Sequence, residues 1–164
     1  MITKTLRLFS LVGFLLLIAA CVHNSPDAQT NVPAPKKFSA AEVAKLRWLE
    51  GTWRGSGVDQ APFFERYRFE NETTLAVDSF PDEKLEKVDD TSRFELKDGQ
   101  FGSSNYAASA IDDTSVDFVP IGTKAKNSFR WERVSDDSWK ATLKWTEGGT
   151  ARERIYNMER IPGK

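Results

Sequence analysis

From Gly51 onward the apolar residues tend to recur at every second position, whereas just before it they recur at every third. Val43, Leu46 and Leu49 line one side of a helical repeat, and Ser39 with Glu42 has the form of a capping box. This pattern predicts a short helix from Ala40 to about Leu49. Gly51 ends it, and Gly51 to Gly57 reads as a first strand. Alternation then predicts strands over 63–69, 73–80, 93–97, 100–106, 116–119, 127–134, 138–145 and 151–161. In the run from Ser138 to Trp145, Trp139, Ala141, Leu143 and Trp145 fall on one face and Lys140, Thr142 and Lys144 on the other. That is the mark of a sheet with one buried side. Asp98-Gly99, Ser135-Asp136-Asp137 and Glu147-Gly148-Gly149 supply turns. Short strands, tight turns and one leading helix predict a mainly β protein, an antiparallel up-and-down β-barrel of about 8–10 strands. Pro81 to Asp90 is charged and almost free of apolar groups, which predicts a solvated loop able to serve as a lid.

The N-terminal part of the chain follows a different pattern. Lys4 and Arg7 precede an apolar run from Leu8 to Ile18 that is too short for a stable membrane span, so residues 1–20 read as a secretory leader. Ile18-Ala19-Ala20-Cys21 resembles a bacterial lipobox, which implies a lipid on Cys21, the one cysteine of the chain. Val22 follows where an Asp would retain such a protein at the inner membrane in the enterobacterial sorting rule. The resemblance therefore implies a bacterial envelope protein, lipid-anchored to the outer membrane and facing the periplasm. Residues 21–38, rich in Pro, Ala and small polar groups, read as a flexible tether, leaving 39–164 for the barrel. With 23 basic and 24 acidic residues the whole chain has a net charge of −1, and removal of a leader holding Lys4 and Arg7 makes the rest more acidic. An electrostatic grip on nucleic acid is not expected.

The segment Gly51-Thr52-Trp53-Arg54-Gly55-Ser56-Gly57, with Leu46 and Leu49 before it and Phe63, Tyr67 and Phe69 after it, resembles the opening of nitrobindin-like and related calycin barrels. It is similar, more distantly, to the Gly-x-Trp that opens lipocalins. The resemblance implies that Trp53 packs at the closed end of the barrel and stacks on an arginine of the last strand, Arg154 or Arg160. Nitrobindin-like barrels that bind haem use a histidine near the end of the domain, and Arg154 to Arg160 contains none. Tyr156 and Met158 remain as other axial donors, with no spacing that favours them, so the expectation is a barrel without cofactor.

The inventory of reactive groups is short. His23, the one histidine, falls in the tether, which leaves the barrel without the base of a serine triad. A zinc site is not expected, and the pairs Asp89-Asp90 and Asp112-Asp113 lack calcium-loop spacing and suit turns. The aromatic residues say more. Trp131, Trp139 and Trp145, with Tyr67, Phe118 and Phe129, either fill the interior or line a site for a hydrophobic small molecule. Arg66, Arg68, Arg93, Arg130, Arg133, Arg152 and Arg154 either reach inward for a carboxylate head group or lie outside, paired with acids such as Glu65, Glu95, Glu132 and Glu153. Two main readings follow. The barrel binds an apolar or amphipathic small molecule without a metal, or it is filled by its own side chains and acts through a strand edge or the 81–90 loop. A third, an enzyme, would need an inward cluster around Glu65, Arg93 and Glu95.

Overall fold

The computed structural model describes residues 36–163; Cys21, His23, the expected leader and most of the expected tether lie outside them. Ser39 and Glu42 form the capping box, the Glu42 amide donating to Ser39 Oγ at 3.3 Å and the Ser39 amide to Glu42 Oε2 at 2.9 Å. The helix they start, α1 (Ala40–Ala44), tightens into a 3-10 segment (Lys45–Leu49). The tighter winding sets residues three apart in line, which puts Leu46 and Leu49 on one fully buried edge with Val43. Phe38, which the sequence reading leaves in the tether, is buried in the same cluster, and its amide donates to the Gly99 carbonyl at 2.7 Å. The packed domain therefore begins no later than Phe38.

Ten strands follow: β1 (Gly51–Gly57), β2 (Phe63–Asn71), β3 (Thr74–Phe80), β4 (Asp90–Lys97), β5 (Gln100–Gly102), β6 (Tyr106–Ile111), β7 (Ser115–Pro120), β8 (Ser128–Arg133), β9 (Ser138–Glu147) and β10 (Thr150–Arg160). Each pairs antiparallel with its neighbours in sequence, and β1 pairs with β10, so the sheet is a closed up-and-down barrel. Closure leaves the ring without an open terminal strand, although β4 from Asp90 to Phe94 pairs on its β3 side alone, so a short stretch of edge remains where β5 is brief. The run read as one strand over 100–106 is two, β5 and β6, meeting through the single pair Gly102 and Ala107. The β6 strand, Tyr-Ala-Ala-Ser-Ala-Ile, went unread beyond its first residue because alanines lack the β-branched signal, and a register shift between Ala108 and Ala110 breaks its alternation. Asp98 and Gly99 both have positive φ, 52° and 83°, as the tight hairpin between β4 and β5 demands.

The capped end of the barrel is packed solid. Trp53 is 1% exposed and Trp139 2%. Trp139 meets Trp48, Trp53, Tyr67 and Trp131 edge to face at centroid distances between 5.4 and 6.2 Å. Trp53 Nε1 donates to the Leu49 carbonyl at 2.7 Å, which ties the end of the helical segment to β1. The Arg160 guanidinium lies 4.1 Å from the Trp53 ring centroid and donates to the carbonyls of Glu50 (2.8 Å) and Asp136 (3.0 Å). Of the two arginines proposed to close the barrel, Arg160 does so. Arg154 does not, because antiparallel pairing carries it six residues back along β10, opposite Leu143 and toward the other end. Gly51 completes the arrangement: its φ is +136°, and a Cβ there would run into Arg160 Nη1.

Replacing Trp53 by Ala is expected to cost about 3–5 kcal/mol of unfolding free energy, and Arg160 by Ala about 1–3 kcal/mol. The double variant should lose less than the sum, because the two side chains share one contact. Urea unfolding followed by far-ultraviolet circular dichroism checks both magnitudes and the coupling.

Candidate functional site

The opposite end, where the loops after β1, β3, β5, β7 and β9 gather, is hollow. A cavity of about 600 Å³ is lined by Glu65 and Tyr67 of β2, Val77 and Ser79 of β3, Phe94 of β4, Tyr106 of β6, and Phe129 and Trp131 of β8, among others. The β2 strand explains the polar member of this set. Its alternation puts Phe63, Glu65, Tyr67 and Phe69 on one face and Arg66 and Arg68 on the other, and Tyr67 is buried against Trp131 and Trp139. Glu65 therefore faces the interior, between cross-strand partners Trp53 and Ser79. The Tyr67 hydroxyl donates to Glu65 Oε2 at 2.8 Å.

Burial raises the Glu65 carboxyl above its ordinary range, and the hydrogen bond from Tyr67 offsets that only in part. Burial likewise pushes the Tyr67 phenol well up, with the neighbouring carboxylate adding to the shift. The phenol thus remains a proton donor through the pH range in which the carboxyl ionises.

The ring walls divide by height. Trp131 packs edge to face on Phe94 and Phe118 at 5.1 Å and still borders the cavity, and so does Phe129, in contact with Tyr106 at 4.8 Å. The Tyr106 hydroxyl donates to Asn127 Oδ1 at 2.8 Å, bridging β6 to the residue just ahead of β8. Trp139 lies below the cavity in the solid end and is core, not lining. Phe118 is fully buried, stacked on Phe129 at 4.6 Å, and supports the lining from behind. Trp145 does not border this cavity; with Lys126, Asn127, Leu143 and Arg154 it forms a second hollow of about 330 Å³. Among the proposed ligand-binding residues, the structure thus brings together Tyr67, Phe129 and Trp131, and sets Phe118, Trp139 and Trp145 apart.

The arginines lie mostly outside. Arg68 donates to Asp78 (2.9 and 3.3 Å) and Glu70 (3.0 Å), Arg93 to Glu70 (2.9 and 3.0 Å), and Arg130 to Asp117 (2.6 Å), while Arg152 pairs with Glu147 at 3.5 Å. Arg66 covers the Phe80 ring at 4.9 Å. Asp78, though buried, serves this outer network: the Arg68 and Thr91 hydrogen bonds hold its carboxyl below the usual range. Of the Glu65, Arg93 and Glu95 trio, only Glu65 has its side chain on the inward row; Glu95 pairs with Lys97 on the outside. Asp112 accepts from Thr114 and Ser115, and Asp113 pairs with Lys45 at 3.1 Å, so this aspartate pair is a turn and a strap to the helical cap. Among the described residues no group of three or more His, Cys, Asp or Glu is placed to hold a metal ion, and no helix is long and apolar enough to cross a membrane.

Besides Tyr67, Phe129 and Trp131, the cavity is lined by residues that the sequence reading does not propose for binding, among them Ser79, Ser92, Phe94 and Tyr106, and Glu65, which it places only in an enzyme's cluster or an outer ion pair. Glu65 shares its parity with Tyr67 and Phe69, and that was the available signal. Tyr106 was assigned to the wrong strand.

No protein-family model matches the chain, and no curated protein matches it in sequence. Among solved structures it is similar to a mutant of the fluorescent protein UnaG, at 11% identity and TM-score 0.44, over 74% of this chain and 99% of that one. It is also similar to EF1p2_mFAP2b bound to DFHBI, at 12% identity and TM-score 0.39, over 75% and 100%. A third likeness, to a redesigned β-barrel, has 11% identity and TM-score 0.33 over 79% and 100%.

A carboxyl whose pKa is raised on folding supports the folded state below its unfolded pKa and loses that support as pH rises through the folded value. Glu65→Gln is therefore expected to raise the melting temperature at pH 7, and the gain should vanish in acid, below about pH 4 where the unfolded carboxyl is protonated too. Thermal melts of both proteins across this range measure it.

Proposed function

We propose that this barrel binds an amphipathic small molecule non-covalently and does not transform it, and that it does so as an envelope protein held to the outer membrane by a lipid on Cys21. The observation that carries the binding reading is the division of the interior. One end is packed with aromatic rings down to Trp139, while the other holds about 600 Å³ bordered by Tyr67, Phe94, Tyr106, Phe129 and Trp131 with the half-buried Glu65 carboxyl. Apolar walls with a few fixed polar groups are the usual make-up of a small-molecule site. The absence of a histidine from 36–163 and the outward pairing of Arg93 with Glu70 and of Glu95 with Lys97, which breaks up the cluster an enzyme would need, support binding over catalysis. The anchor rests on the leader pattern and on the small residues that precede Cys21.

An environment-sensitive apolar dye is expected to bind with a stoichiometry of about one and to quench tryptophan emission through Trp131. Ser92→Trp, which fills the cavity from β4, should weaken that binding by about tenfold or more while leaving the circular dichroism spectrum unchanged. Equal dye binding by Ser92→Trp would place the dye elsewhere. In cells, Cys21→Ala should abolish incorporation of radiolabelled palmitate and move the protein out of the membrane fraction. Labelling that survives the substitution would remove the anchor.

A further inference from the structure

Glu65 presents an acid to the cavity, and no cation pairs with it. Glu65 projects from the same inward row as Phe63 and Tyr67, and its carboxylate takes one side-chain hydrogen bond, at 2.8 Å from Tyr67. A carboxylate has about four acceptor positions, so most of its capacity is open toward the hollow. Among the described residues no Lys or Arg lies within ion-pair distance of it, and the causes of its raised carboxyl include no positive charge. The cations nearest in sequence are committed elsewhere: Arg68 to Asp78 and Glu70, Arg66 to the Phe80 ring and Thr52. Arg93 borders the cavity but its guanidinium is clamped by Glu70 at 2.9 and 3.0 Å.

We infer that the cavity is built for an amphipathic cation, a molecule with an apolar or aromatic body and a protonated amine that docks on Glu65. This deepens the binding-barrel reading and rests on it. Three features agree. A charged acceptor in a partly desolvated hollow rewards an opposite charge more than it would in bulk water. Tyr67, Tyr106, Phe129 and Trp131 border the same space, and aromatic rings attract a cation. The hydroxyls of Ser79 and Ser92 give an ammonium's remaining hydrogens acceptors. An anionic head group, which inward arginines would have suited, meets a carboxylate with no ion-pair partner instead.

The other titratable or charged groups around Glu65 are Tyr67 on its own strand, Asp90 on the inward row of β4 opposite Ser79, Arg93 and Glu95 at the β4 wall, Tyr106 on β6, and Arg154 and Tyr156 on the inward row of β10. Neither β1, β3 nor the inward row of β9 brings a charge to this level. Binding of the cation requires the ionised carboxylate, so affinity should rise as pH increases through the Glu65 titration and fall again where the amine loses its proton.

The test is calorimetric titration of the purified full-length protein with three probes sharing one ring, 2-naphthylmethylamine, 2-naphthylmethanol and 2-naphthoate. The amine is expected to bind about tenfold or more tighter than the alcohol, and the acid weakest. Glu65→Gln, isosteric and still able to accept from Tyr67, should erase the preference for the amine while the alcohol binds as before. Tyr67→Phe, which keeps the carboxylate, should retain the preference. Binding of the alcohol or acid as tight as the amine, or a preference that survives Glu65→Gln, overturns the assignment of the cation and leaves the binding barrel standing. Failure of all three probes to bind the folded protein, with the apolar dye also unbound, overturns both.

Discussion

A tryptophan covered face-on by an arginine joins the first strand to the last, and the rest of the barrel is arranged around that contact. Trp53 gives its indole hydrogen to the Leu49 carbonyl, and Arg160 lies across its ring while reaching the carbonyls of Glu50 and Asp136. Three segments that are distant in sequence are thereby fixed to one side chain: the exit of the helical cap, the closing strand and the β8–β9 turn. The contact also dictates its neighbours. Residue 51 must be a glycine, since the guanidinium occupies the space of a side chain there, and the cap must arrive with Leu46 and Leu49 inward for the Leu49 carbonyl to meet the indole.

Above this lock the interior changes character within a few residues of strand. Trp139, Met158, Leu75 and Phe101 leave no room, whereas one or two inward positions further along the same walls the side chains are Ser79, Ser92 and Glu65. Small hydroxyl residues do not fill a barrel of this girth, and desolvation of a carboxyl there opposes its ionisation. Sequences that break the rules of core composition do so mostly where something other than stability is being selected. The carboxyl, the missing volume and the aromatic walls fall in one place, whereas the outer face shows the ordinary pairing of Arg68, Arg93 and Arg130 with acids.

Much of the architecture was legible from period and turn chemistry. The capping box, the Asp98-Gly99 hairpin and the alternation of β9 all stand where the pattern puts them, because each is determined within a few residues. The strand β6 escaped because alanines pack behind larger neighbours without announcing a strand. The site was less legible for a geometric reason. A period of two tells which side of the wall a residue faces and nothing about its height along the barrel axis, which is set by register summed around the ring. Trp131 and Trp139 are thus indistinguishable in pattern, yet one borders a cavity and the other fills the floor. The same ambiguity separated Arg160 from Arg154. Glu65 was visible in parity, but its nearness to arginines in sequence suggested an ion pair that the alternation forbids.

Closure of the ring also shapes how the chain reaches this state. Nearly every strand pairs with its neighbour across a short connection, so most of the wall forms by successive local hairpins. The pairing of β1 with β10 is different: Glu50 and Arg160, which mark that seam, are 110 residues apart in the chain. Loop entropy makes such a meeting the costly step, and it is rewarded only when the seam is complete. Until then the sheet is an open ribbon with two bare edges and an uncovered aromatic floor, the form most prone to pairing with other copies. The tryptophan–arginine contact sits on that seam, so its strength governs how briefly the chain passes through its most adhesive state.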